Sequence, residues 1–359
     1  MNNSERLGQP AMRLRLESER GPALWATGLL AALVVPVLAA SPVDAETWFP
    51  MRNHNPFLHV FGMPVTQPAS LQPRGSGRYR ISLDVANHAE QDQTALESGE
   101  TDGESYFLDL AYRYGLRDGL EVGIDVPLVA HSGGFLDGPI ERWHDLWGLS
   151  NSRRSGPRNQ VDYRYVAPDG TAFRLSSSES GIGDVRLGAA LRLGNQDRHR
   201  SYALRAGIKL PTGDADTLLG SGATDYHLSL HADDRYSLAD RELRVSALAG
   251  ILLPGDSDTL PATQEGAVGF GGMALAWQAS DRLSLMAQVN GETAYYDSDL
   301  EILGGNSVQL TVGGAWHARR SGLSVRLGIV EDLFGNATSD FAFQLAVSWR
   351  SRPHEAQTP

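Results

Sequence analysis

The chain has 359 residues, no cysteine, 43 acidic against 31 basic residues and a net charge of −12, with only 21% of residues charged. Zero cysteine removes thiolate zinc sites, disulfide frameworks, iron–sulfur clusters and a lipoprotein anchor; the acidic balance argues against nucleic acid as a partner; and 41% apolar residues argue against a disordered chain. One apolar run alone approaches the roughly 20 residues of a spanning helix, and it lies at the extreme N-terminus, which excludes a polytopic helical membrane protein.

That run opens the chain. Arg13, Arg15 and Arg20 precede the apolar stretch 23–40, which contains Pro36, and Val43-Asp44-Ala45 offers a small-residue cleavage site. Residues 1–45 therefore read as a cleaved secretory signal peptide, with Met12 as an alternative start. Residues 46–77 follow, rich in proline and without strand alternation; Trp48, Phe49, Phe57, Phe61 and Met63 there need burial somewhere. Two readings stay open for this segment: a plug entering a barrel, or a periplasmic extension covering its base.

Period-2 alternation dominates from residue 78 onward. Tyr79, Ile81, Leu83 and Val85 share one face, and Arg80, Ser82 and Asp84 the other. The pattern of 78–88 recurs at 104–114, 119–129, 183–193, 202–210, 224–236, 242–252, 266–278, 283–295, 307–317, 323–331 and 340–349, which makes twelve strands. A tilted strand needs about 9–11 residues to cross a bilayer. A count of ten or fourteen strands stays open. The body of the barrel is placed at 78–349 and a C-terminal tail at 350–359.

Alternation alone also fits a soluble barrel or sandwich with its apolar face inward. Four features favour lipid outside. Connections alternate between short (115–118, 194–201, 237–241, 279–282, 318–322) and long (89–103, 130–182, 211–223, 253–265, 296–306, 332–339). Tyr79, Tyr114, Tyr202, Tyr236, Trp277, Trp316 and Trp349 gather on the apolar parity at the short-turn end, as an interfacial belt does. The apolar face is nearly free of charge while the other carries eight bases (Arg80, Arg113, Arg186, Arg192, Arg205, Lys209, Arg244, Arg326) and seven acids (Asp84, Asp109, Glu121, Asp125, Asp184, Asp225, Glu292), too many for a dry core. The last strand ends Phe341, Phe343, Leu345, Val347, Trp349 on one face, similar to the strand that outer-membrane assembly machinery recognises. The fold class is thus all-β: a transmembrane antiparallel up-and-down barrel of about twelve strands, with short periplasmic turns and long extracellular loops.

The seventeen candidate lumen-lining residues are these fifteen with His227 and His231. The two histidines are i, i+4 on an inward strand with Asp225 and Ser229 on the same parity. Extended backbone separates such positions by about 13–14 Å, so they hold no common metal, and they join the interior charge network. The long loop 130–182 reads as a short helix over 137–149 and a hairpin flanking Pro168-Asp169-Gly170. It is either a constriction, with Asp137, Trp143, His144 and Arg154 meeting a ligand, or a lid anchored by its tryptophans. Aspartate pairs Asp214/Asp216, Asp256/Asp258 and Asp297/Asp299, and the acids of loop 89–103, are read as solvated; the sharper alternative is a divalent cation bridging lipopolysaccharide phosphates. No nucleophile–base–orienter set, cofactor or metal site is expected, and the Gly clusters at 181–188 and 266–272 lack the strand–loop–helix setting of a phosphate loop.

Several motifs carry a resemblance. They are Arg52-Asn53-His54-Asn55-Pro56 with Phe61-Gly62-Met63-Pro64, Gly133-Gly134-Phe135-Leu136-Asp137, Ile140-Glu141-Arg142-Trp143-His144, Gly181-Ile182-Gly183-Asp184 and Lys209-Leu210-Pro211-Thr212-Gly213. In these the chain resembles a family of proteobacterial outer-membrane barrel proteins catalogued only as a domain of unknown function. The last two motifs are also similar to barrels associated with uptake of aromatic compounds. The resemblance implies a barrel and an outer-membrane address in a Gram-negative bacterium, and no activity. The function expected is a passive channel or uptake pore for a small solute with a charge-lined lumen. Two rivals stand beside it: a closed structural or surface-interaction barrel with a salt-bridged interior, and a barrel-embedded lipid-modifying enzyme. The setting that marks outer-membrane phospholipases is missing, so no enzyme is expected. The partners are outer-membrane lipid, lipopolysaccharide, the assembly machinery and a small-molecule solute, with no nucleic acid.

Overall fold

A computed structural model describes residues 48–136, 138, 159–194, 199–260, 263–318, 322–335, 337–339 and 341–351. The expected signal peptide, the helix over 137–149, the loop candidates Asp137, Trp143, His144 and Arg154, and most of the C-terminal tail lie outside these residues. Among the described residues no helix is long and apolar enough to cross a membrane, and nearly all regular structure is strand.

Three long strands begin the wall: β1 (Gly77–Gln93), β2 (Ser98–Arg117) and β3 (Leu120–Ser132). A short hairpin follows, β4 (Asp162–Val166) and β5 (Ala172–Leu175), at the position read from Pro168-Asp169-Gly170. Then come β6 (Glu179–Ile182), β7 (Arg186–Arg192), β8 (Arg200–Lys209), β9 (Asp225–Leu238), β10 (Arg241–Leu253), β11 (Val268–Gln278) and β12 (Leu283–Glu292). A single helical turn α1 (Glu301–Gly304) precedes β13 (Ser307–His317), β14 (Ser324–Phe334) and β15 (Phe341–Ser351). Neighbours pair antiparallel around the sheet, and β1 pairs β15 from Gly77↔Ser351 to Asn87↔Phe341, which closes a barrel. The wall has twelve staves because β6 and β7 share one. β3 pairs β6 over Leu128–His131 and β7 over Leu120–Asp125.

Strand ends shift by a few residues at several places, with β12 ending at Glu292, β14 running to Phe334 and β15 to Ser351, inside the expected tail; two larger departures from the sequence reading each have a physical reason. The strand expected over 183–193 is interrupted at residues 183–185, where Asp184 turns inward and Pro127 opposite has no N–H to offer the ladder; the Pro127 carbonyl accepts from Gly183 N at 2.9 Å. The loop expected over 89–103 is mostly strand, since β1 and β2 stay in register to Gln93↔Ser98. This rim rises beyond the apolar belt and is paired on its other side by β4. A strand lifted away from hydrocarbon needs no apolar face, so hydrophobic alternation does not mark it.

Burial follows the parity. Outward Tyr79, Leu110, Ile124, Leu187, Tyr202, Leu230, Leu275, Leu285, Val312 and Leu327 are exposed, while inward Ser82, Asp84, Asp109, Glu121, Asp125, Arg205, Lys209 and Arg326 are buried. A soluble protein of this size would not expose so continuous an apolar band, and hydrocarbon is the solvent that suits it. Leu230 lies mid-strand on β9, paired with Leu204 and Ala249, with its side chain outward. Leu230→Arg should therefore cost about 2–4 kcal/mol in denaturant unfolding from a bilayer. Unchanged stability would show that this face does not meet hydrocarbon.

Candidate functional site

The inward faces of the staves enclose residues 48–76. The segment enters at the short-turn end, climbs to the long-loop end and returns to β1. On the way up the Trp48 carbonyl accepts from Arg326 Nη1 at 3.2 Å, Phe49 N donates to Gln288 Oε1 at 2.8 Å, and the Pro50 carbonyl accepts from Gln344 Nε2 at 2.8 Å. Higher still, Arg52 pairs with Asp109, Asn53 Nδ2 donates to Glu292 at 3.2 Å, and His54 Nε2 lies 3.0 Å from Asp84. On the way down Lys209 Nζ donates to the Val60 carbonyl at 3.0 Å and Gly62 N donates to Asp225 at 2.6 Å. His231 Nδ1 lies 2.9 Å from the Gln67 carbonyl, Arg205 Nη2 donates to the Pro68 carbonyl at 2.8 Å, Ala69 N donates to Asp233 at 2.7 Å and Gln72 N to Glu121 at 2.8 Å. Thr66 clamps the two legs: its Oγ1 accepts from Met51 N at 3.0 Å and donates to the Phe49 carbonyl. The staves without such a bond are met by apolar packing. Trp48 clusters with Leu248 of β10 and Ala274 of β11, and Phe49 with Ala315 of β13. All twelve staves thus touch the segment.

Its tip is locally encoded. Asn55 caps one helical turn, its Oδ1 accepting from Phe57 N at 2.9 Å, and Pro56 stands at the first helical position, where a missing N–H costs nothing. Asn53 Oδ1 accepts from Asn55 N at 2.9 Å, and Asn55 Nδ2 donates to the Ile302 carbonyl at 2.9 Å. Phe57, Leu58, Val60, Phe61 and Met63 then join one apolar cluster with Tyr163 and Tyr165 of β4, Ile302 and Leu303 of α1 and the loop residues Leu218, Leu260, Tyr295 and Tyr296. Phe61 stacks on Tyr295 with centroids 5.3 Å apart, and Tyr296 donates to the Phe57 carbonyl at 3.1 Å. Burial pushes the hydroxyls of Tyr163, Tyr295 and Tyr296 well up, so they remain protonated donors. This cluster roofs the long-loop end.

The recurring motifs of the sequence meet beneath the roof. Asp184 turns inward between β6 and β7 and accepts from Thr212 N at 3.0 Å, Gly213 N at 2.8 Å, Ser221 N at 3.0 Å and Lys209 Nζ at 2.7 Å. Lys209, the one lysine of the chain, also meets Ser221 Oγ and lies 3.2 Å from Asp225. One fully buried cation therefore joins two wall carboxylates to the backbone of the interior segment. Gly62 is required there: a Cβ on it would lie 2.8 Å from the Asp225 Cβ and 3.1 Å from the Lys209 Cβ.

Other sequence-predicted wall residues pair with one another. Asp125 bridges Arg80 at 3.2 Å and Arg113 at 2.6 Å, and Arg205 pairs with Glu121 at 3.0 Å. Arg186 reaches the Phe61 carbonyl at 3.3 Å, Glu292 accepts from the Tyr295 hydroxyl at 2.9 Å, and Arg244 pairs with Glu242 at the short-turn end. Arg192 closes β7 at the same rim, its backbone N donating to the Gly119 carbonyl at 2.8 Å. His231 finds neutral partners, Ser229 Oγ at 2.9 Å besides Gln67, and the His227 ring lies against Gly207. Sequence reasoning missed Arg78, Asp233, Gln288 and Gln344, and the polar residues of the segment itself. Gln288 and Gln344 sit on the inward parity, so a search for polar rather than charged inward residues finds them. Asp216 N donates back to Asp214 Oδ1 at 2.9 Å, a local turn, and among the described residues no three carboxylates or histidines converge as metal ligands. Among the described residues, two small voids lie between the wall and the segment. One of about 30 Å³ lies among Pro64, Gln67, Arg113 and His227; another of about 30 Å³ lies among Trp48, Arg78, Arg205 and Arg326.

A family model described as a protein of unknown function (DUF3187) matches residues 26–351. No curated protein matches the chain. Among solved structures, the COG4313 outer membrane channel from Pseudomonas putida F1 superposes with a TM-score of 0.51 at 12% identity, covering 79% of this chain and 98% of that one. This shows a shared barrel fold. The toluene transporter TbuX of Ralstonia pickettii gives a TM-score of 0.36 at 11% identity over 80% of this chain and 92% of its own. The toluene transporter TodX of P. putida gives 0.36 at 14% identity over 80% and 93%.

Gly62→Ala should unseat the returning leg by overpacking, at a cost of about 1–3 kcal/mol. Heat unfolding in detergent and proteolysis within 48–76 both report it. Gly188→Ala, whose added Cβ would find its nearest neighbour at 3.6 Å, serves as control and should leave both unchanged.

Proposed function

The chain belongs to the DUF3187 family of proteins of unknown function, and from the interior of its barrel we propose that it is an outer-membrane channel for a small solute, with residues 46–77 as its plug. One observation carries this reading. The inward face of every stave meets one segment, nine staves through hydrogen bonds or ion pairs and β10, β11 and β13 through apolar packing, with a covalent tie to the wall only where it runs into β1. Such a segment can leave without breaking the wall. A solid structural barrel would instead fill its lumen with side chains of its own strands. The wall left behind is lined by Arg80, Asp84, Asp109, Arg113, Asp125, Arg186, Arg205 and Lys209 among others, which supports selection by charge and size. The aromatic belt, the apolar exterior and the barrel fold support an outer-membrane address. Lipid then surrounds the band, and the assembly machinery acts on the terminal strand β15, which carries Trp349.

A second reading rests on a different observation. Arg80–Asp125–Arg113, Arg205–Glu121 and Lys209–Asp184 pair wall to wall and keep their partners when the segment is absent. That arrangement suits a permanently closed barrel.

Planar-bilayer recording decides between them. The refolded full chain is expected to be silent or rarely open, and a variant lacking residues 48–72 should give discrete, voltage-stable steps. Steps of equal frequency in both would remove the plug. Silence in both, with folding shown by heat-modifiable gel mobility, would leave the closed barrel.

A further inference from the structure

The charges of the interior are sorted along the barrel axis. Inside the rim that carries Arg192 and Arg244, five arginines surround one interior void toward the short-turn end: Arg78 and Arg80 on β1, Arg113 on β2, Arg205 on β8 and Arg326 on β14. The carboxylates facing them are Glu121 and Asp125 from β3 and Asp233 from β9. Asp84, Asp109, Asp184, Asp225 and Glu292 lie farther toward the long loops, around Arg52, Arg186 and Lys209.

Four of the five arginines also donate to neutral oxygens of the segment. Gln67 Oε1 sits between two guanidinium groups, accepting from Arg113 Nε at 2.9 Å and Arg205 Nη1 at 3.2 Å. The Pro68 carbonyl takes a further bond from Arg205, and the Trp48 carbonyl one from Arg326. With the Gln72 amide assigned so that its oxygen faces Arg78, that one oxygen accepts from Nη2 at 3.0 Å and Nε at 3.1 Å, where a carboxylate would offer an oxygen to each. Guanidinium forks bind carboxylate or phosphate oxygens more strongly than neutral amide oxygens. The segment thus supplies weaker acceptors where an anion would supply stronger ones.

We propose that Arg78, Arg113, Arg205 and Arg326 form a binding site for a small multivalent organic or inorganic anion, carrying carboxylate or phosphate oxygens, which competes with the segment for these forks. The site rests on the plug reading and names the solute class of that channel. Anion binding and plug release are then one equilibrium: the anion takes the forks only as Gln67, Pro68, Gln72 and Trp48 leave them.

The chain has no cysteine, so Ala69→Cys in the full-length protein gives a single reporter in the buried descending leg. Its rate of labelling by a hydrophilic maleimide is measured in liposomes at matched ionic strength, in chloride, in millimolar citrate and in millimolar inorganic phosphate. Citrate or phosphate should raise the rate several-fold over chloride; a response to one alone identifies which oxyanion the forks prefer. Adding Arg113→Gln with Arg205→Gln should abolish the response. Gln67→Glu keeps the shape, places a resident carboxylate between the same two arginines, and should lower the rate and its response together, a control that does not depend on the double variant folding. Equal rates in chloride, citrate and phosphate would overturn the site, as would a citrate response undiminished in Gln67→Glu. A response to citrate without conductance in any variant supports the anion site and removes the channel. Conductance after deletion of 48–72 that is not anion-selective, with rates indifferent to citrate, removes the site and keeps the channel.

Discussion

A polar surface shut away from water has to be matched group for group, because an unpaired buried donor or acceptor costs about as much as a hydrogen bond contributes. That constraint organises this molecule. The strands turn apolar side chains outward and so must turn arginines, carboxylates and glutamines inward, where the voids hold little water. Backbone of the N-terminal segment supplies many of the partners. Proline-rich, with few internal backbone bonds of its own, it offers carbonyls and N–H groups in all directions, which a helix or strand would have consumed. Lys209 shows the economy of the arrangement: one ammonium holds a wall carboxylate on either side and a carbonyl of the segment between them.

The same constraint explains what the motifs are for. Asn55-Pro56 makes a turn whose start is capped by the Asn55 side chain, so the chain can reverse direction inside the barrel. Gly62 lets that turn come back against β8 and β9. Gly183-Asp184 and the stretch from Lys209 to Gly213 are two halves of one device, in which backbone N–H groups and an ammonium surround a single carboxylate. Motifs far apart along the chain are thus joined by hydrogen bonds.

The barrel was legible in the sequence because hydrocarbon imposes a rule on every second residue, and Tyr79 to Val85 or Phe341 to Trp349 obey it visibly. The stave number, the short and long connections and the hairpin around Pro168-Asp169-Gly170 follow from that rule and from turn chemistry. Where water replaces hydrocarbon, as along Glu90 to Gln93, the rule lapses and the strand ends were placed too early. The set of inward charges was equally visible, whereas their pairing was not. Arg205 reads the same in sequence whether it meets Glu121, Gln67 or a carbonyl. The route of residues 48–76 left the faintest trace, since most of its anchors are main-chain atoms and main chain is common to all sequences.

The order of those anchors has a mechanical consequence. The rising leg meets the wall in sequence, with Trp48 on Arg326 nearest the short turns, then Phe49, Pro50, Arg52, Asn53 and His54 progressively deeper. Tension applied at Trp48 and directed out of the short-turn end loads the Arg326 bond first and then those of Phe49 and Met51, where Thr66 shares the load with the descending leg. The rigid closed wall gives them no shared yield. Bonds loaded in series part at the force each alone withstands, while bonds loaded side by side resist together. A pull from that end would therefore part the outer bonds in turn, whereas release of the whole segment at once would have to break them together.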